Sequence, residues 1–253
     1  QKDSGDSVLV HIYNDKNELI RTLSWSVDTG FNRRYWGMEE KGHRQPASAK
    51  PGPDAPEPGG LQVLPGKYKL VLALDGNADS TFITVKDDPR LGNRNEIKLA
   101  QKIMYDRLRR STDKLTIATD RLSDADEVCE KITAEIKDMD GKEIDSLRKS
   151  SRLMQDSIKA IREFISGKKS DRQGLVRSKD ETVISKISLA QQYIGSKNVA
   201  PGKQEEKLVQ NAETFINEAI QRINAFFIGK WKDYRQQAEG TKINLFKDYP
   251  PIN

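Results

Sequence analysis

The side chains best suited to nucleophilic, proton-transfer or metal chemistry are two histidines and one cysteine, and their surroundings offer them little to work with. His11 sits in an alternating strand pattern and His43 in a proline-rich stretch, and neither has a second histidine or a cysteine at metal-ligand spacing. Cys129 falls on the apolar row of a helix, where a buried, inert thiol is expected rather than a reactive one. A single cysteine also excludes an internal disulfide and every multi-cysteine zinc pattern. Asp3-Ser4-Gly5-Asp6-Ser7 is not a nucleophile elbow and reads as a frayed start. Asp120, Asp124, Asp126 and Glu127 crowd one helix but lack the glycine-centred turn and alternating ligands of a calcium loop, so they read as a solvated acidic face. No glycine-rich phosphate loop or dinucleotide fingerprint occurs. No two carboxylates can be placed across a glycosidic bond from sequence alone. Accordingly no catalytic, cofactor-binding or metal-ligating residue is assigned, and the segment reads as a non-enzyme.

The 253 residues suffice for one large or two ordinary domains. An apolar fraction of 35% against 32% charged suits long exposed helices better than a thick α/β core. No run of 18 apolar residues exists, so no membrane-spanning helix is expected. No segment reads as a signal peptide, and a chain opening on Gln1 reads as a mature or excised piece. The net charge of +5 is uneven: residues 1–90 hold 12 basic against 13 acidic side chains, residues 91–253 hold 31 against 25. The excess base is interleaved with acid, as in Arg107-Leu108-Arg109-Arg110-Ser111-Thr112-Asp113. A nucleic-acid groove would need a basic stripe with aromatics in step, so no nucleic-acid partner is expected.

Period-two patterns dominate the first third. Val8, Val10 and Ile12 alternate with Leu9, His11 and Tyr13, Asn14-Asp15-Lys16-Asn17 is a turn, and Glu18 to Ser24 returns as a strand. Tyr68, Leu70, Leu72 and Leu74 alternate with Lys69, Val71 and Ala73, Asp75-Gly76-Asn77 turns, and Thr81 to Lys86 closes the set. Short strands with regular turns argue for an antiparallel sandwich. Between them, Lys41 to Pro65 holds six of the ten prolines, including Pro51, Pro53, Pro56 and Pro58. Such a run favours extended, hydrogen-bond-poor backbone. It reads either as a disordered or passive edge cover or as a partner-binding loop, residues 41–60 being its centre. Gly30 and Gly66 suit positive-φ turns, Pro65 pre-sets a turn corner, and Trp36 is expected to anchor the core, with Arg33 or Arg34 placed to stack on it. The other reading of Trp25 or Trp36 is a carbohydrate-stacking platform.

From Asn95 to Asp140 the period becomes helical. Leu108, Leu115, Leu122, Cys129 and Ile136 recur every seven residues beside Met104, Ser111, Ala118, Ala125, Ile132 and Met139, large on one row and small on the other. Ile144, Leu147, Ser151, Met154, Ile158, Ile161 and Ile165 make a second stripe, broken at Gly167-Lys168-Lys169-Ser170-Asp171. Val183, Ile187, Ala190 and Ile194 make a third. Val209, Ala212, Ile216, Ala219, Ile223, Phe226 and Phe227 make a fourth that runs on to Tyr234. Four such helices with turns between them are expected to fold back as an antiparallel four-helix bundle. The expected organisation is an immunoglobulin-like β-sandwich over 1–90 followed by a bundle over 91–253.

Tyr13-Asn14-Asp15-Lys16-Asn17-Glu18-Leu19-Ile20-Arg21-Thr22-Leu23 resembles the hairpin of the immunoglobulin-like module of the flagellar-hook-cap (FlgD) type. Gly30-x-Asn32-Arg33-x-x-Trp36 resembles that family's Gly-x-Asn-Arg-x-x-Trp element, Leu64-Pro65-Gly66-Lys67-Tyr68 its Pro-Gly-x-Tyr strand start, and Asp88-Pro89-Arg90 its exit. The sequence departs from the pattern at Gly37-Met38, where the family carries Asp-Leu. With helices following, the chain is similar to the C-terminal region of bacterial exported proteins whose N-terminal part is a sortilin-type propeller of BNR repeats. That resemblance implies a non-catalytic accessory or scaffold region, exported to the periplasm, outer membrane or exterior. Its partner would be a protein: its own propeller, a cell-envelope component, or both. The alternative it implies is an accessory module of a glycan-active enzyme whose active site lies in the missing propeller.

Overall fold

The computed structural model describes residues 7–46, 48–52, 55–90, 92, 94–168 and 181–242. The Asp3 to Asp6 stretch and Lys169, Ser170 and Asp171 of the helix break lie outside them. Two compact units are present. One comprises Gln1–Arg44, Ala49–Arg109 and Gln192–Glu206, the other Gln45–Ser48, Arg110–Gln191 and Lys207–Asn253. The long first helix therefore contributes to both.

In the first unit, β1 (Ser7–Tyr13), β2 (Leu19–Ser26), β5 (Gly66–Leu74) and β6 (Asn77–Val85) form a four-stranded antiparallel sheet in the order β2-β1-β5-β6. The alternation read from the sequence sets the faces. Val10 and Ile12 are fully buried with Tyr68 and Val63, and Val8, Leu23, Trp25, Trp36, Leu70, Ile83 and Val85 pack around them, whereas Leu9 lies exposed on the opposite face. Asn17 and Asp75 take positive φ at the two hairpin turns, and Gly76 follows Asp75 there. Gly30 adopts φ 105° as its turn requires. Gly66 does not take positive φ; it already pairs with Val85 as the first residue of β5. Trp36 is only half-buried. It sits at the rim of the core, its ring edge-on to Tyr68 at 5.7 Å and its indole N–H donating to the Glu39 carbonyl.

The proline-rich stretch departs from the hydrogen-bond-poor loop expected of it. Its ends form a second, two-stranded sheet, β3 (Glu39–Lys41) with β4 (Gly59–Gln62). Glycines rather than an apolar period make this pairing. A Cβ on Gly42 would strike the Gly59 carbonyl, and one on Gly60 would meet the Glu40 oxygen at 2.7 Å. Arg21 ties this layer to β2. It lies opposite Ile12, is 8% exposed, and its guanidinium donates to the carbonyls of Glu40 (3.1 Å), Glu57 (3.1 Å) and Pro58. The Glu57 carboxylate accepts from the Thr22 N–H at 2.8 Å and from Lys41 at 2.8 Å. Burial would raise the Glu57 pKa, but these bonds and the charges of Lys41 and Arg21 hold it below the ordinary value.

The same unit holds the first turns of α1 (Asn95–Glu135). Lys98 pairs with Asp87 at 2.7 Å, Lys102 with Glu40, and Tyr105 meets His43 ring to ring at 5.7 Å. It also holds the junction of α3 (Val183–Ser196) and α4 (Lys203–Phe226). Gly202 is the N-cap of α4 and its N–H donates to Glu205 Oε2 at 2.8 Å, the reach-back of a capping box. Lys197 bonds the other carboxylate oxygen. Glu205 is buried, and the Lys197 ammonium followed by the Gly202 N–H depresses its pKa to about 2. Because the folded value lies below the unfolded one, this stabilisation is complete above the ordinary value of 4.5 and fades as pH falls toward 2. Glu205→Gln keeps the reach-back acceptor but loses the charge that Lys197 bonds, and should therefore cost about 1.5–3 kcal/mol at pH 7, the worth of a hydrogen bond to a charged group. The gap from wild type should close in urea titrations repeated down to pH 2, and a gap that stays constant with pH would refute the assignment.

In the second unit the apolar rows are buried as their spacing predicts: Leu115, Leu122, Cys129 and Ile136 on α1; Leu147, Met154, Ile158 and Ile165 on α2 (Lys142–Ser166); Val183, Ile187 and Ala190 on α3; Val209, Ala212, Ile216, Ala219 and Ile223 on α4. Ile161 is half-buried. α2 runs antiparallel to α1 and to the continuous helix that begins with α4, whereas α1 and that helix run parallel, Cys129 lying beside Tyr234. Arg162 of α2 reaches Asp126 of α1, while Arg148, one turn into α2, donates to the carbonyls of Ile136 (3.0 Å) and Met139 (3.1 Å) where α1 ends. Phe164 of α2 stacks on Phe215 of α4 at 6.2 Å, with Arg222 over the outer face of the first ring and Lys186 of α3 over the second. Thr182 and Ser185 exchange side-chain bonds to each other's N–H, a capping box that starts α3. Beyond Phe226 the backbone stays helical through a π-helical segment, Phe227–Trp231, into α5 (Lys232–Gly240). Tyr234, the last residue of the fourth stripe, is buried.

Candidate interaction surface

The residues whose types allow chemistry fall in separate, structurally occupied places. His11 Nδ1 lies 3.4 Å from the Thr22 hydroxyl on the outer face of β1, and His43 lies against Tyr105. Asp126 is engaged by Arg162, so part of the acidic helix cluster joins α1 to α2. Among the described residues no group of three or more His, Cys, Asp or Glu side chains is arranged to hold a metal ion.

Cys129 is fully buried and shares a hydrogen bond with Tyr234, whose hydroxyl also meets Ser151 Oγ at 2.9 Å; Ser151 in turn donates to the Leu147 carbonyl. Three helices are thus joined by one small polar network whose groups are mutually satisfied. Burial pushes the thiol up to about 11, against the lowering effect of the Tyr234 bond, and pushes Tyr234 up to about 12. A neutral, enclosed thiol is a poor nucleophile. At pH 8 its reaction with a disulfide reagent should follow the rate of opening, rising with urea; rapid labelling in buffer alone would contradict this.

The exposed chemistry lies on the connection from β2 to β3, within the first unit. Asn32 shapes its start: Nδ2 donates to the carbonyls of Asp28 (2.7 Å) and Gly30 (3.2 Å), and Oδ1 accepts from the Asp28 N–H. Arg34 Nε donates to the Ser26 carbonyl at 3.0 Å rather than stacking on Trp36, and Trp36 is fixed by Tyr68 and Glu39. Arg34 and Trp36 therefore fasten the segment to β2 and to the core cluster, while Asn32 closes its own turn. Phe31 at 91% exposure, Tyr35 at 78% and Arg33 face solvent. Met38, at positive φ, adds a further exposed apolar side chain at the end of the segment. From sequence, the proline loop is the candidate for partner contact and a carbohydrate platform on Trp25 or Trp36 only the alternative to a structural role. The structure packs both tryptophans on the core cluster and anchors the return end of the loop through the Glu57 and Pro58 carbonyls. Phe31 and Tyr35 lay inside the quoted motif, and because the segment forms no strand, no local period marked them as exposed.

No known protein family matches the chain, and no curated protein and no solved structure does either. No helix among the described residues is long and apolar enough to cross a membrane.

Proposed function

We propose that this chain is a non-catalytic accessory region that docks a protein through the Phe31–Tyr35 segment. The carrying observation is the pair of almost wholly exposed rings flanking Arg33 on backbone fastened by Arg34 and Trp36, with Asn32 closing its turn. Aromatic and arginine side chains dominate the energetics of protein interfaces, and a segment held in place loses little entropy on binding. The quoted motif supports the wider reading: the C-terminal region of an exported bacterial propeller protein, positioned against its own propeller or a cell-envelope partner. In that reading the two sheets are an immunoglobulin-like sandwich, favoured by Arg21 and Val63 joining their facing sides. The helices form a bundle in which α2 lies antiparallel to both α1 and α4, favoured by the Arg162–Asp126 and Phe164–Phe215 contacts; the parallel run of α1 beside α4–α5 departs from an alternating antiparallel four-helix order.

The test is a photo-crosslinker placed at position 31 or 35 of the full chain in the producing cell, with position 153 on α2, also exposed, as control. One discrete protein adduct is expected from 31 and 35 and none from 153. Equal yields from all three, or turnover of a glycoside, peptide or ester by the purified chain, would sink the reading.

A further inference from the structure

We infer that the partner presented to this segment is an extended acidic stretch of protein, with a carboxylate between two apolar side chains at alternate positions. The inference rests on the docking reading above and adds the chemistry of the occupant. Phe31, Arg33 and Tyr35 are exposed at alternate positions of one connection, and alternate positions of extended chain lie about 6–7 Å apart. A second extended chain lying alongside presents its own alternate side chains at that same spacing, so ring meets apolar group, guanidinium meets the central residue, and ring meets apolar group again. Arg33 decides the central residue. It is exposed and has no ion pair or hydrogen bond among the described residues, whereas its neighbour Arg34 is committed to Ser26. A guanidinium offers a planar two-donor fork that fits a carboxylate. A neutral glycan would satisfy the rings and leave the guanidinium without its counter-charge.

The experiment is selection from a displayed library of random nine-residue peptides on the full chain, wild type and Arg33→Glu in parallel. Wild type should enrich apolar-x-acid-x-apolar sequences and the variant apolar-x-base-x-apolar ones. The best acidic peptide, resynthesised, should bind the variant at least tenfold more weakly, and Phe31→Ala or Tyr35→Ala should weaken it similarly. All three side chains are exposed, so circular dichroism should be unchanged. An enriched motif indifferent to residue 33, no enrichment, or binding of a neutral hexasaccharide in place of peptides would each overturn the inference. If crosslinks from 31 and 35 persist while no acidic motif is selected, the occupant is wrong and the docking role stands; if both fail, the docking role fails too.

Discussion

Arg21→Ala should lower the stability of the sheet-bearing unit by about 3–4 kcal/mol. The estimate follows from bonds between charged and neutral groups, each worth roughly 1.5–3 kcal/mol, and from acceptors stranded when the donor goes. Three carbonyls accept from Arg21, that of Pro58 also from the Gly42 N–H at 2.8 Å, and the half-buried Glu57 carboxylate loses a neighbouring positive charge at the same time. Arg21→Lys should recover only a minor part, since an ammonium on a single stem cannot reach Glu40, Glu57 and Pro58 together. Urea titration followed by tryptophan fluorescence reads the change, because Trp25 and Trp36 both lie on the core cluster of that unit. A loss below about 1 kcal/mol would show that the proline-rich segment is held by its β3–β4 pairing alone, and the proposed anchoring role of Arg21 would be lost.

Leu122→Ala should cost about 3 kcal/mol, within the 2–5 kcal/mol range for truncating a buried leucine. Leu122 is fully buried in the middle of the heptad row of α1, between Leu115 and Cys129. The control is Leu153→Ala on α2. Leu153 is the same residue type in a helix but is 61% exposed, and its truncation should change stability by less than about 0.5 kcal/mol. Helical ellipticity against urea gives both values. Equal losses would mean that the seven-residue period does not mark the interior face.

Periodicity carried most of what was legible in the sequence. Burial on one side of a strand or helix imposes a repeat of two or of about three and a half, so the rows from Val10 and Ile12 to Ile216 and Ile223 could be read residue by residue. Turns at Asn14 to Asn17 and at Asp75-Gly76 were legible because they need polar or glycine residues at particular backbone angles. The β3–β4 pairing was not, because it rests on Gly42, Gly59 and Gly60 meeting across a long loop, and close approach of two backbones leaves no hydrophobic pattern. Gly66 was misread for the complementary reason: Pro-Gly fits a turn equally well as it fits the start of a strand, and only the register with Val85 separates the two.

The sequence by itself determined the order of the four longer strands and of the helices, the rows of side chains turned inward, and the buried setting of Cys129, since each depends on local spacing. Only the tertiary structure decided what Arg21 bonds, how α1 is shared between two compact units, and which aromatics face solvent. The physical reason is that carbonyl acceptors have no sequence identity. Any residue can supply them, so a donor such as Arg21 or Arg34 finds its partners through folded geometry alone. The same geometry holds Trp36 against Tyr68 and leaves Phe31 and Tyr35 outside.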